Sequence, residues 1–293
     1  MSGYQQSKIE KSLANELFSP LPKSRQLFTY LMNAIALAFT VIALVPLLSI
    51  LWEILARGIS GLKLEMFVNS VIDFGFGNAI LGTAVIVSIA ALLSVPVGIL
   101  TGIFLAEFGR INPAANFVRF ITNILTGVPS IVVGVFAYSI IVLITKQFSA
   151  IAGGFALATI MLPVIVLTTE EALKLVPTDQ RLASAALGGN RLQTTFRIVV
   201  TAALPAITTG ILLAVARAAG ETAPLLFTAL FSLDWSEGLL SPTASLPVLI
   251  YNLYNDPDPQ KHQLVWTTSI ILLGLVLFVS IISRLVTHKI KIK

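Results

Sequence analysis

The sequence predicts an all-α, polytopic membrane protein with about six transmembrane helices. Three observations predict it. Only 11% of the 293 residues are charged and 56% are hydrophobic, whereas soluble domains carry about 25% charged residues. Residues 26–52, 74–106, 120–145, 147–169 and 262–283 contain no Asp, Glu, Lys or Arg, and a sixth run, 198–216, ends at Arg217. Each run approaches or exceeds the ~20 apolar residues that span a bilayer. Finally, these runs do not alternate polar with apolar residues, as barrel strands do. Lipid admits only helices and closed barrels, so the runs are helices.

The first 25 residues are polar and of mixed charge. They lack the apolar stretch and small-residue cleavage site of a secretory leader. Residues 1–26 therefore read as a tail, and 27–293 as one transmembrane domain whose first helix, 27–51, is an uncleaved anchor. A longer loop precedes helix two at 78–105. The turn Glu107–Arg110 leads to helix three at 118–145, interrupted by Gly127, Pro129 and Ser130. Lys146–Ser149 is too short for anything but an antiparallel hairpin with helix four, 150–170. A long loop, 171–198, follows. Helix five begins near Thr201, and a helix break at Gly220 leaves 221–232 as a short re-entrant or gating element. Residues 233–262, with four prolines and four acids, read as a surface loop before helix six at 263–285.

The net charge of +5 is sorted rather than spread. Fourteen Lys and Arg residues fall in the N-terminal tail, the turn after helix two, the 171–198 loop and the C-terminus, and four in the alternate loops. The positive-inside rule puts the fourteen, and both termini, in the cytoplasm. This distribution argues against nucleic-acid binding. The chain has no cysteine, so disulfide and thiol chemistry are excluded. His262 and His288 lie at opposite ends of the last helix and cannot share a metal. The residues offer no metal site, no cofactor and no nucleophile–histidine set for an enzyme.

Two features carry chemistry. Arg217 and Glu221 stand four residues apart, on one helical face. If helix five enters near Pro205, Arg217 lies roughly 18 Å deep at 1.5 Å per residue. Arginine there costs about 2.5–3.5 kcal/mol on insertion scales. One reading is a salt bridge that locks two helix pieces. The other is a cation lining an anion path, with Thr222 beside it and Ser130 and open backbone amides opposite. The fork of arginine suits tetrahedral oxyanions. The second feature is the 171–198 loop. Thr178 is placed to cap a short helix, Gly188 or Gly189 to stop it, and Asn190 to cap the next. The small-residue face at Ala183, Ala185 and Ala186 suits docking into a groove on another protein, or a plain connector.

The loop resembles the cytoplasmic signature of bacterial ABC-importer permeases, Glu-Ala-Ala, three residues, Gly, then a distal Leu-Pro. Aligned on Gly188, that pattern falls on Leu182, Ala183 and Ser184, followed by Ala185, Ala186 and Gly189, with Leu204-Pro205 as the distal pair. Leucine replaces the Glu, which removes any salt bridge made from it. Three stretches, Gly127–Gly134, Leu162–Ala172 and Ala216–Thr228, resemble the phosphate branch of the family, over roughly residues 70–285. The resemblance implies a type I importer permease in a bacterial inner membrane. Its implied partners are a sister permease, an ATP-binding subunit dimer, an extracytoplasmic phosphate-binding protein, phosphate and membrane lipid. No lysine follows a glycine in this chain, so no Gly-Lys-Ser/Thr loop is present and ATP hydrolysis is expected in a partner. The competing readings are a permease of the same family for another oxyanion or solute, and an ATP-independent secondary transporter, which internal inverted repeats would favour.

Overall fold

The computed structural model describes residues 22–109 and 112–291. Among the described residues there are helices and no strands. The chain divides into two compact units, residues 1–53 and 54–293. Helix α1, Lys23–Gly61, starts in the first and ends in the second. It is longer at both ends than the 27–51 expected. In the first unit its apolar side chains, such as Leu37, Ile42 and Leu47, are exposed on all sides. A helix apolar all round belongs in a membrane.

The second unit holds α2 (Gly77–Phe108), α3 (Pro113–Gly127), α4 (Ser130–Thr145), α5 (Ala150–Lys174), α6 (Thr178–Ala186), α7 (Arg191–Ala219), α8 (Ala223–Leu226), α9 (Leu246–Leu253) and α10 (Pro259–Lys291). Helix α5 is central: 61% of its most apolar window is buried, against 33% for α2 and 28% for α7. Small residues allow this. A Cβ added to Gly98 would lie 2.7 Å from Ile165 Cγ2, and one on Gly102 2.6 Å from Thr169 Cβ. Without hydrocarbon-water contrast inside lipid, such close backbone approach is what holds helices together.

Four apolar clusters lie along the unit, the smallest around Leu105, Ala115 and Val166. Ile86, Leu157, Met161, Ile165 and Leu225 pack in the middle. Ile103, Leu173, Val199 and Ile207 pack at the end that carries α6. Phe76, Leu246, Leu249 and Leu264 pack in a cluster with α9.

The structure corrects three expectations. Helix three is no single straight helix: the interruption expected at Gly127–Ser130 splits it into α3 and α4, which meet at 107°. Val128 is extended, at φ −72° and ψ 128°, because a residue before proline avoids the α region, and Pro129 has no N–H to continue the ladder. Residues 233–262 are no mere surface loop. They contain α9, in which Leu246, Val248 and Leu249 are fully buried. Pro247 sits in its first turn, where proline is tolerated, so proline marked a helix start rather than a loop. Thr178 does not cap α6. Pro177 occupies the cap and Thr178 is the first helical residue, without a side-chain cap bond. Two neighbouring expectations hold: Asn190 forms a reciprocal capping box with Gln193, and Gly188, at φ +81°, ends α6. Helix five, expected from Thr201, runs unbroken from Arg191.

Candidate functional site

A cavity of about 230 Å³ opens where α3 breaks into α4. Pro129, Ser130, Arg217 and Glu221 line it, with Thr126, Val128 and Pro163. The fold brings them together in two steps. Helix α7 ends at Ala219 with Gly220 as its cap, which puts Arg217 in the last turn and Glu221 just beyond. Gly134 of α4 then packs on Pro224 of α8, close enough that an added Cβ would lie 2.7 Å from the proline Cα. That contact sets the start of α4 beside the break in α7.

The Arg217–Glu221 pair is loose. Arg217 Nε stands 3.7 Å from Glu221 Oε1, and the side chains are 63% and 18% exposed. That separation is beyond hydrogen-bond range, so Glu221 does not engage the guanidinium in a hydrogen bond. The amides of Val132 and Val133 both donate to Pro129 O. The first amides of α4, at Ser130 and Ile131, head the helix, where no intrahelical acceptor exists. A helix N-terminus carries partial positive charge. A guanidinium and a helix N-terminus on one cavity form an anion-receptive arrangement.

Two expected pathway residues lie apart from it. Gly127 is the exposed last residue of α3 and does not line the cavity. Thr222 lines a different cleft, with Pro247, Tyr251, Asn252 and Tyr254. A wider cleft, about 770 Å³ between Lys146–Phe148 and Glu237–Pro242, contains none of the predicted pathway residues.

At the far end of α5, the α6 helix presents Leu182 at 66% exposure and Leu187 at 90%. Ala183, Ala185 and Ala186 are exposed with them. Ser184 and Gly189 face inward: Ser184 Oγ lies 2.8 Å from Thr194 Oγ1, and the Gly189 amide donates to Ser184 O. The predicted docking set therefore splits into an exposed apolar face and an inner anchor.

Sequence reading missed the charges that hold this end. Arg181 donates to Glu107 Oε1 at 2.7 Å, to Leu173 O at 2.9 Å and to Val176 O. Arg191 donates to Glu107 O and lies over the Phe108 ring, 4.7 Å from its centroid. Glu170, 4% exposed, accepts from Arg119 Nε and pairs with Lys174 Nζ, each at 2.7 Å. A signal was present. Glu107 sits at the negative end of α2 and Arg191 at the positive end of α7, both against the helix dipole. Such misplaced charges point to partners outside their own helix.

Residues 98–292 match the family of binding-protein-dependent transport system inner membrane components. The chain is 39% identical to the phosphate transport system permease protein PstA of Yersinia pestis, over 87% of this chain and 88% of that one. It is 35% identical to PstA 1 of Mycobacterium tuberculosis, over 95% and 94%. Its fold resembles chains of two solved transporters. One is an inward-facing MetNI methionine ABC transporter, with TM-score 0.58 at 19% identity over 78% of this chain and 99% of that one. The other is a bacterial alginate ABC transporter, with TM-score 0.62 at 15% identity over 88% and 95%. With six apolar spans if the bent α3–α4 pair counts as one, the chain belongs to the binding-protein-dependent inner-membrane transport family, in its PstA branch.

Proposed function

We propose that this chain is the transmembrane permease subunit of an ATP-driven inorganic phosphate importer, and that the Arg217 cavity is its half of the anion path. The carrying observation is the convergence of Arg217, Ser130 and the α4 N-terminus on one cavity. Phosphate is anionic at neutral pH, and a route without fixed positive charge would impose an uncompensated desolvation penalty. A sister permease would supply the facing wall of the path. Glu221 at 3.7 Å offsets part of the arginine charge, so the anion is held weakly enough to leave. The relatives' names support phosphate as the solute.

In this reading both termini and α6 face the cytoplasm, as the charge distribution requires. The exposed Leu182, Ala183, Ala185, Ala186 and Leu187 dock on one ATP-binding subunit of a dimer. An extracytoplasmic binding protein delivers phosphate to the opposite face. The test is reconstitution of the permease pair with its ATPase and binding protein in liposomes. Phosphate-loaded binding protein should stimulate ATP hydrolysis and uptake of labelled phosphate, with sulfate inert. ATP-independent uptake, or equal stimulation by sulfate, would refute the assignment.

A further inference from the structure

We propose that Glu107 is a positioning residue that carries movement of α6 into α2, acting through Arg181 and Arg191. The inference rests on the importer reading given above. Its geometry is a two-sided clamp. From one side, Arg181 of α6 reaches the Glu107 carboxylate at 2.7 Å while holding Leu173 O and Val176 O at the end of α5. From the other side, Arg191, the first residue of α7, holds the backbone oxygen of the same Glu107 and covers Phe108. One residue thus joins the ends of α2 and α7 to the loop helix, and Arg181 adds α5.

Two further features fit a mechanical role. The Glu107 and Arg181 side chains are 11% and 16% exposed, so water competes weakly for the pair. Both helices that meet at Glu107 are π-wound there, over Phe104–Phe108 and Thr194–Val199. A π-turn marks a helix segment held off its relaxed ladder, and such turns gather at functional positions. Arg181 and Arg191 tie α6 and the start of α7 to the end of α2, so displacement of α6 acts on α2. Helix α2 lies against α5 through Gly98 and Gly102, so the displacement reaches the helices of the core. The α6 signature lacks its Glu at Leu182; Arg181, one residue earlier, supplies a charged contact in the opposite direction, into the permease itself.

The experiment uses the whole reconstituted complex and reads phosphate taken up per ATP hydrolysed. Glu107→Gln keeps the shape and removes the charge. The ATPase subunit should still co-purify at wild-type stoichiometry, while uptake per ATP falls by about tenfold, within the range of interdomain coupling. Arg181→Lys, which keeps the charge but loses the fork, should fall less. Cysteines at both positions, joined by a short bifunctional thiol reagent, should recover coupling. A wild-type ratio in Glu107→Gln, or failure of the cross-link to restore it, overturns the proposal. If neither Glu107→Gln nor Arg181→Lys assembles, the clamp is a folding element and the proposal also fails. A wild-type complex without phosphate-stimulated ATPase would instead refute the importer reading, before any variant is compared.

Discussion

Gly134 of α4 lies against Pro224 of α8 so closely that a Cβ on the glycine would approach the proline Cα to 2.7 Å and its oxygen to 3.2 Å. Both atoms are backbone, so neither can swing away. This contact fixes the direction of α4 after the 107° bend, and therefore where its N-terminus points. Gly134→Leu should lift α4 from α8 and open the Arg217 cavity. Overpacking of this kind costs about 1–3 kcal/mol, too little to prevent insertion of spans this apolar. The expected outcome is normal abundance in the membrane with uptake lost, and Gly134→Ala between the two. Full uptake by Gly134→Leu would show that α4 does not position the site.

Ala185 is exposed on α6, and Gly188 ends that helix at φ +81°. Proline is locked near −65°, so Gly188→Pro must rebuild the turn into α7. Ala185→Asp leaves the helix intact but brings a charge into a packed docking face, where an unpaired charge costs several kcal/mol. Both variants should insert normally. Pull-down of the ATPase subunit should fall for both, and uptake with it. If Ala185→Asp binds the ATPase and transports like wild type, α6 is a connector.

Much of the fold was legible because lipid imposes simple rules. Charge-free runs located the long apolar helices among the described residues, and Asn190 and Gly188 acted as a cap and a stop on local chemistry alone. The site was half legible. Arg217 with Glu221 stood out because charges in apolar runs are costly, and Ser130 because Pro129 breaks a helix. The 107° bend at Val128 and Pro129 was not, because a broken ladder fixes where the chain turns and not how far. Helix α9 was missed because Pro247 and the prolines flanking the helix resemble loop residues until the burial of Leu246 and Leu249 is seen. The Glu107–Arg181–Arg191 clamp spans 74 and 84 residues of sequence, and no local pattern reports a contact at that range.

Orientation is open to a direct chemical test, since the chain has no cysteine. Leu240 is exposed in the 233–262 segment, at 59%, and Gln193 is exposed at the start of α7. Ser245, in the same segment as Leu240, is fully buried and would be a misleading choice. Single cysteines at Leu240 and Gln193 should divide. An impermeant thiol reagent outside intact spheroplasts should label Leu240→Cys alone, and Gln193→Cys should react only after lysis. Labelling of Gln193→Cys from outside would reverse the topology and remove α6 from the ATPase side.

The loose Arg217–Glu221 pair decides between a helix lock and an anion site. A buried pair that loses one partner costs about 3–5 kcal/mol. Here the separation is 3.7 Å, beyond hydrogen-bond range, so the two charges restrain one another only weakly. Glu221→Gln alone should therefore assemble normally. The informative variant is Arg217→Gln with Glu221→Gln, which removes both charges and keeps hydrogen-bonding groups. A helix lock predicts an assembled complex that recovers much of its uptake, since no charge is stranded. An anion site predicts an assembled complex that transports nothing, because the α4 N-terminus alone, with its half charge at most, replaces little of the hydration an anion loses. Arg217→Lys should keep part of the activity, as a point charge without the planar fork. The expected result is the inactive, well-assembled double variant. Near wild-type phosphate uptake in that variant would leave Arg217 a structural residue and move the anion path elsewhere in the complex.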